Sequence, residues 1–216
     1  MIAPVVFDLD GTLIDSLPGI AWAANETLAA FGTGPLPQPR IAGFVGHGEQ
    51  VFVDRLIAAS GLAAPRPEIM ARFLGFYAQA AERTTLFSGA LEALDWLRGQ
   101  GVPVGLCTNK PSGPLEPVLR VLDLAARFDV IVSGDSLTLR KPDPEPLRHA
   151  LRALGAERGL YVGDSEVDAE TAQRAGQPFA LFTEGIRHSP VEALPHDWTF
   201  CDFGAFPEVY EAFLAR

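Results

Sequence analysis

The sequence predicts an α/β fold, a doubly wound parallel sheet (Rossmann-like) with an inserted helical cap domain. The chain opens with Val5–Phe7, an apolar run of residues that favour strands. Beyond residue 84, apolar runs alternate with helical patterns, which is typical of parallel sheets with crossover helices. Between these parts, three helical patterns follow one another without a strand. We therefore expect an α/β core of residues 1–15 and 84–216, interrupted by a cap domain at 16–83.

The cap pattern gives three helices in order. Asp15-Ser16 can cap the first helix, and Gly32 is a typical helix stop. A Pro-rich loop is expected at 34–39. The second helix is predicted over Gly48–Ser60, and a third begins near Pro67.

The rest of the core alternates regularly between strands and helices. Apolar runs predict strands at 102–107, 130–132, 160–162 and 178–182, with an edge strand at 198–200. Helices are predicted at 89–98, after 111, and at 144–154, 166–175 and 204–215. The polar stretch 183–197 is expected to be a loop. Ligands of such sheets bind beyond the carboxyl ends of the strands, where the strand order reverses.

Composition excludes several classes of partner. The net charge of −10 and the lack of a basic stripe argue against nucleic acid. No apolar run reaches the roughly 18 residues of a membrane span, and the N-terminus does not resemble a signal peptide, so we expect a soluble, cytoplasmic protein without a membrane partner. Two cysteines far apart in sequence do not suggest a disulfide framework.

The first chemical signal is a pair of carboxylates at the end of the first predicted strand. Side chains alternate along a strand, so Asp8 and Asp10 can project to the same side. Two like charges at this position repel each other unless a cation or a shared proton relieves them. An oxygen-only pair suits Mg²⁺ with water and phosphate. The alternative is an ordinary Asp-Gly turn at Asp10-Gly11.

A second signal, Thr108-Asn109-Lys110, directly follows a predicted strand. A hydroxyl and free N–H groups at a strand–helix junction can hold a phosphoryl oxygen, although Thr and Asn also serve as ordinary helix caps.

Two further signals lie later in the chain. Lys141, one of only two lysines, is fixed on a backbone stiffened by Pro142 and Pro144. Asp164 follows a predicted strand and Asp168 comes about one helical turn later, so both could face one metal. The alternatives are a solvated surface lysine and an acidic helix N-terminus favoured by the helix dipole.

In their order along the chain, these motifs resemble the haloacid dehalogenase superfamily, and within it the phosphoglycolate phosphatase-like branch. The resemblance runs through most of the chain and is carried by residues 7–16, 46–48, 107–110, 133–137, 141–144 and 162–168. The sequence departs from the family pattern at Ser88, where the family usually has Pro, and at residues 183–185, which replace an aromatic-containing loop.

The resemblance implies roles for individual residues. Asp8 would be the nucleophile and Asp10 the general acid/base, while Lys141 would neutralise phosphate charge. Thr108 and Asn109 would bind phosphate together with Lys141. The implied Mg²⁺ site consists of Asp8, Asp10 (through its backbone carbonyl), Asp164 and Asp168.

The expected function is therefore a Mg²⁺-dependent phosphatase that hydrolyses a small phosphomonoester, with 2-phosphoglycolate as the leading substrate, through an aspartyl-phosphate. The alternatives are a sugar-phosphate phosphatase or phosphomutase of the same superfamily, and a non-catalytic phosphate-ligand binding protein. Dehalogenation is disfavoured because a halide needs no acid at Asp10. Phosphonate hydrolysis through an imine is disfavoured because the cap has no lysine. The sequence allows a monomer or a homodimer.

Substrate specificity is expected to come from the cap. Gly46 and His47 precede the predicted second helix at Gly48, and a helix N-terminus with accessible N–H groups attracts anions. The carboxylate of phosphoglycolate would suit such a site. The alternative is a flexible hinge with an exposed histidine.

Overall fold

A computed structural model describes residues 2–216 as eight strands, nine α-helices and four short 3₁₀ turns. The strands are β1 Val5–Phe7, β2 Ile14–Asp15, β3 Thr85–Leu86, β4 Val104–Cys107, β5 Val130–Val132, β6 Leu160–Gly163, β7 Phe179–Phe182 and β8 Trp198–Phe200. The helices are α1 Leu17–Ala30, α2 Gln38–Ala42, α3 Gly48–Ser60, α4 Arg66–Gln79, α5 Ala90–Gly99, α6 Ser112–Val121, α7 Glu145–Ala153, α8 Glu166–Ala175 and α9 Phe206–Leu214.

Six of the strands form one parallel sheet in the order β5-β4-β1-β6-β7-β8. The chain leaves β1 in one direction through β4 and β5, then returns to the other side of β1 for β6, β7 and β8. The strand order therefore reverses between β1 and β6, and ligands of doubly wound sheets bind at such a point. Asp8 follows β1 and Asp164 follows β6, so both lie beside this reversal.

Helices cover both faces of the sheet, and side-chain alternation along the strands supplies an apolar core to each. Val5 and Phe7 of β1 pack with residues of α5, α6 and α9, whereas Val6 packs with residues of α7 and α8. This period of two is what a strand buried on both faces requires.

Helices α1–α4 form a separate unit with its own apolar cluster, which includes Ala24, Phe52, Leu56, Ile69 and Phe73. The chain enters this unit after β2 and leaves it before β3, and these two short strands pair antiparallel. The predicted fold class, a doubly wound parallel sheet with an inserted helical cap, is confirmed. The bounds 16–83 for the cap remain a prediction.

One local prediction was wrong, and the prediction that Asp15-Ser16 caps α1 holds for Asp15 but not for Ser16. The sequence predicts a loop throughout the Pro-rich stretch 34–39, but α2 begins at Gln38, because Pro39 is tolerated in a first helical turn. Ser16 stands at the N-cap position of α1 but its side chain makes no capping bond; the N–H of Leu17 is instead 3.3 Å from an Asp15 carboxylate oxygen. Among residues 2–216, no helix has the length and apolar character needed to cross a membrane.

Candidate active site

The first carboxylate pair lies on a tight turn at the carboxyl end of β1. The amide of Asp8 still donates to the carbonyl of Val162 in β6, at 2.8 Å, and the chain then turns through Gly11. Gly11 has φ +88°, and a Cβ built there would lie 2.4 Å from Oδ2 of Asp164. Glycine is therefore needed both for the backbone conformation and for the close approach of the β1 turn to Asp164.

Lys141 is buried and all three of its ammonium N–H groups have acceptors. Its Nζ lies 2.8 Å from Oδ1 of Asp8 and 2.7 Å from Oδ1 of Asp168, and it donates to the Tyr161 hydroxyl at 2.9 Å. Asn109 fixes the main chain of Lys141, because its amide oxygen accepts from the Lys141 N–H and its amide nitrogen donates to the Lys141 carbonyl. The alternative of a solvated surface lysine is thus excluded.

Asp164 is held against β1 by contacts from two directions. The Thr12 hydroxyl donates to its Oδ1 at 2.8 Å, and the backbone N–H of Ile186 donates to its Oδ2 at 2.6 Å. Gly185 allows this second contact, since a Cβ there would lie 2.3 Å from the Cβ of Asp164. The loop after β7 therefore closes over one side of the carboxylate cluster.

Three buried carboxylates, from Asp8, Asp164 and Asp168, place oxygen atoms within 4.8 Å of one another. These three carboxyl groups face the single positive charge of Lys141. Burial, together with the charge of Asp168, raises the pKa of Asp8 to about 7 despite the opposing effect of Lys141, and burial also raises the pKa of Asp164 well above its usual range. A divalent cation with oxygen ligands would supply the missing positive charge.

Asp168 differs from the other two because protein donors occupy both of its oxygens. Lys141 and Tyr161 donate to Oδ1, while the N–H and hydroxyl of Ser165 donate to Oδ2. Asp168 and Ser165 also form a capping box at the start of α8, so Asp168 does lie at a helix N-terminus. Although burial opposes it, the charge of Lys141 lowers the pKa of Asp168, so this carboxylate is ionised and orients Lys141.

Thr108 and Asn109 do not cap a helix, because α6 begins at Ser112 with Pro111 at its N-cap. Thr108 is buried on the wall of the cavity beside Asp8. The Asn109 side chain is committed to Lys141 and to the carbonyl of Gly46 in the cap, to which it donates at 3.0 Å. Any phosphate contact of Asn109 would therefore come from its main chain.

Sequence reasoning left Lys110 without a role, and the structure places it in the site. Its Nζ lies 3.0 Å from Oδ1 of Asp10 and donates to the hydroxyl of Tyr77 at 2.6 Å. Tyr77 belongs to α4, so this cluster joins the cap to the core. Two features of the sequence mark Lys110: the scarcity of lysine and its place in the Thr108-Asn109-Lys110 motif.

A cavity of about 50 Å³ lies between the core and the cap, with room for a few waters or a small ligand. Its core wall contains Asp8, Asp10, Thr108, Asn109, Lys110, Lys141 and Ser165. Of the two predicted specificity residues of the cap, Gly46 lines the cavity together with Gly48, but within residues 2–216 the wall does not include His47. The Glu49 carboxylate also lines it and accepts a hydrogen bond from Arg140 at 2.8 Å.

Comparison with known proteins identifies the family of the chain. Residues 3–176 match the model of the haloacid dehalogenase-like hydrolase family. A phosphoglycolate phosphatase of Cereibacter sphaeroides is 47% identical over 215 residues, which cover 98% of this chain and 99% of the relative. A phosphoglycolate phosphatase of Rhodobacter capsulatus is 42% identical over 214 residues, 98% of each chain. A crystal structure described as a predicted phosphoglycolate phosphatase from Haemophilus somnus 129PT superposes with a TM-score of 0.92, at 26% identity, over 97% of this chain and 98% of the other.

Proposed function

Because the chain belongs to the haloacid dehalogenase-like hydrolase family, we propose that it is a phosphatase that hydrolyses a small phosphomonoester, with 2-phosphoglycolate as the leading substrate. The observation that carries the proposal is the set of charged groups at one small cavity: Asp8 and Asp10 on the β1 turn and Lys141 on Asp8 line it. The buried carboxylate of Asp164, at the tip of β6, lies within 4.8 Å of that of Asp8. The names of the relatives support the choice of substrate.

Asp8 is the proposed nucleophile. A carboxylate that attacks phosphorus forms an aspartyl-phosphate and divides one difficult displacement into two easier ones. Phosphoryl transfer depends mainly on positioning and on neutralising charge, and Lys141 places a cation 2.8 Å from the attacking carboxylate. Thr108, buried on the same wall, can donate its hydroxyl hydrogen to a phosphoryl oxygen.

Asp10 is the proposed general acid and base. It lies two residues beyond Asp8 on the same turn, and its carboxylate lines the cavity. In the first step it would protonate the alkoxide that leaves, and in the second it would take a proton from the water that attacks the aspartyl-phosphate. The bond between phosphorus and Asp8 then breaks and releases phosphate, which restores the Asp8 carboxylate and leaves Asp10 protonated for the next cycle.

We propose Mg²⁺ as the metal, held by Asp8, the backbone carbonyl of Asp10 and Asp164. When bound, it would neutralise phosphoryl charge and complete the positive side of the site. Asp168 would support the site without binding the metal, because its oxygens are taken by Lys141, Tyr161 and Ser165. The helical insert, proposed as residues 16–83, would act as the cap that excludes bulk water.

The direct test is a panel of phosphomonoesters assayed for phosphate release with Mg²⁺ and again after removal of metal with EDTA. The panel contains 2-phosphoglycolate, ethyl phosphate, glucose 6-phosphate and β-glucose 1-phosphate. Metal-dependent release with 2-phosphoglycolate preferred is the expected result. Conversion of β-glucose 1-phosphate to glucose 6-phosphate would favour the phosphomutase alternative, and inactivity on the whole panel would favour a non-catalytic binding protein.

A further inference from the structure

We propose that Lys110, assisted by the hydroxyl of Tyr77, binds the carboxylate of the substrate and so determines specificity. This inference rests on the proposed function, because it names the group that recognises the end of the substrate remote from phosphorus. It moves the specificity determinant from the Gly46-His47-Gly48 segment to a lysine of the core and a tyrosine of the cap.

The wall of the cavity contains few cationic side chains. An anionic group other than the phosphoryl needs a cation of its own or several good donors. Among the residues described, the cap contributes no lysine or arginine to the cavity wall, and its one charged group there is the acidic Glu49. Arg140 is engaged by Glu49 at 2.8 Å and is not part of the wall. Lys110 and Lys141 are thus the cations that remain.

The two lysines differ in the number of ammonium N–H groups that are free to bind a ligand. An ammonium group has three N–H donors. Lys141 uses all three, on Asp8, Asp168 and Tyr161. Lys110 contacts two groups, the Tyr77 hydroxyl at 2.6 Å and the Asp10 carboxylate, whose two oxygens lie at 3.0 and 3.4 Å. One N–H shared between the two Asp10 oxygens leaves the third N–H of Lys110 for a ligand.

The hydroxyl of Tyr77 offers a second donor beside Lys110. Its oxygen accepts from Lys110, so its own hydrogen is free to donate, and no acceptor for that hydrogen is found among residues 2–216. Burial raises the pKa of Tyr77 well above its usual range, so the phenol keeps its proton. Lys110 and Tyr77 therefore present two unused donors to the same cavity, which a carboxylate with two oxygens would satisfy.

The donor pair of Lys110 and Tyr77 lies next to Asp10, the proposed general acid. In the proposed mechanism the ester oxygen faces Asp10, which donates a proton to it, and Lys110 contacts Asp10 at 3.0 Å. In phosphoglycolate one methylene separates the ester oxygen from the carboxylate carbon. Lys110, which contacts Asp10, therefore lies beside the carboxylate of the substrate. Once Asp10 is protonated and neutral, the carboxylate of the substrate supplies the negative charge that pairs with Lys110.

The kinetic experiment compares 2-phosphoglycolate with ethyl phosphate, which lacks the carboxylate, in wild type, Lys110→Met and Tyr77→Phe. Because Lys110 also contacts Asp10, Lys110→Met should lower kcat for both substrates. We expect kcat/KM for 2-phosphoglycolate to fall about 10- to 100-fold further than that for ethyl phosphate, with the additional loss mostly in KM. Tyr77→Phe should show the same selectivity with a smaller loss. Arg174→Met, which removes a surface ion pair with Glu170, is the control and should affect neither substrate.

A binding experiment separates failure of this inference from failure of the proposed function. Calorimetric titration of Asp8→Asn, with and without Lys110→Met, measures affinity for the two phosphomonoesters without turnover. Loss of affinity for 2-phosphoglycolate alone supports carboxylate recognition even if the wild type releases no phosphate. Equal losses for both substrates, in kinetics or in binding, would show that Lys110 only joins the cap to the core, and the inference would be overturned. Tyr77→Phe provides the same comparison if Lys110→Met does not fold.

Discussion

The buried carboxylate of Asp168 lies 2.7 Å from the ammonium group of Lys141, and Tyr161 bridges the pair with its hydroxyl. Asp168 caps α8 with its other oxygen, so a helix N-terminus fixes the position of a lysine that contacts Asp8. Buried ionic groups of this kind need every member of the network to be satisfied.

The bridge by Tyr161 predicts a linked loss of stability and activity. Tyr161→Phe removes a hydroxyl that accepts from Lys141 and donates to Asp168, so unfolding should become easier by about 1.5–3 kcal/mol and kcat should fall. Denaturant unfolding and steady-state kinetics measure the two effects. Tyr210→Phe is the matched control, since its hydroxyl bonds to the main chain of Ala3, away from the site, and it should lower stability alone. An unchanged kcat in Tyr161→Phe would exclude the positioning role.

Asp164 should control metal affinity. Its carboxylate is buried beside Asp8 and is oriented by Thr12 and Ile186, so Asp164→Ala should weaken Mg²⁺ binding by more than about 10-fold. Calorimetric titration of the protein with Mg²⁺, without substrate, gives the affinity directly. Asp54→Ala removes an exposed carboxylate of the cap and should leave the affinity unchanged. Equal Mg²⁺ affinity in wild type and Asp164→Ala would place the metal elsewhere.

Gly134 should be intolerant of a side chain for steric reasons. A Cβ at this position would lie 2.2 Å from the carbonyl oxygen of Asn109, so Gly134→Ala must displace the Thr108-Asn109-Lys110 segment. We expect a loss of about 1–3 kcal/mol in stability and a lower kcat/KM. Gly113→Ala has open space around its Cβ and lies in α6, so it should be neutral or slightly stabilising. Wild-type activity in Gly134→Ala would show that the segment can shift without consequence.

Most strands and helices could be predicted from the local pattern of apolar and polar residues. The polar residues of the candidate site could be predicted from the sequence as well. The bounds of α3 and α8 agree with those predicted from the sequence. Each helix ends before a glycine in the αL conformation, Gly61 or Gly176, and a capping box marks the start of α8. The role of each site residue depends on its contacts with residues far away in the sequence. The periodicity of apolar residues does not predict such contacts. The commitment of Asn109 to the backbone of Lys141 and the contact between Lys110 and Tyr77 join segments 32 and 33 residues apart.

The two cysteines should differ sharply in reactivity. Cys201 is exposed, whereas Cys107 is buried in β4, and burial raises its pKa to about 12. A thiol reacts as its thiolate, which Cys107 does not form well below that pH. Titration with a disulfide reagent at pH 8 should therefore modify one thiol in the native protein and two in denaturant. Rapid modification of both in the native protein would contradict the burial of Cys107.

The central claim is that Asp8 attacks phosphorus, and phosphate release from 2-phosphoglycolate in the presence of Mg²⁺ tests it most directly when wild type is compared with Asp8→Asn. The substitution preserves the size of the side chain but removes the nucleophilic carboxylate. Circular dichroism and thermal unfolding establish that the variant is folded. We predict that kcat falls by at least about 10³-fold. A folded Asp8→Asn that retains more than roughly a tenth of wild-type kcat would contradict the assignment of Asp8 as nucleophile.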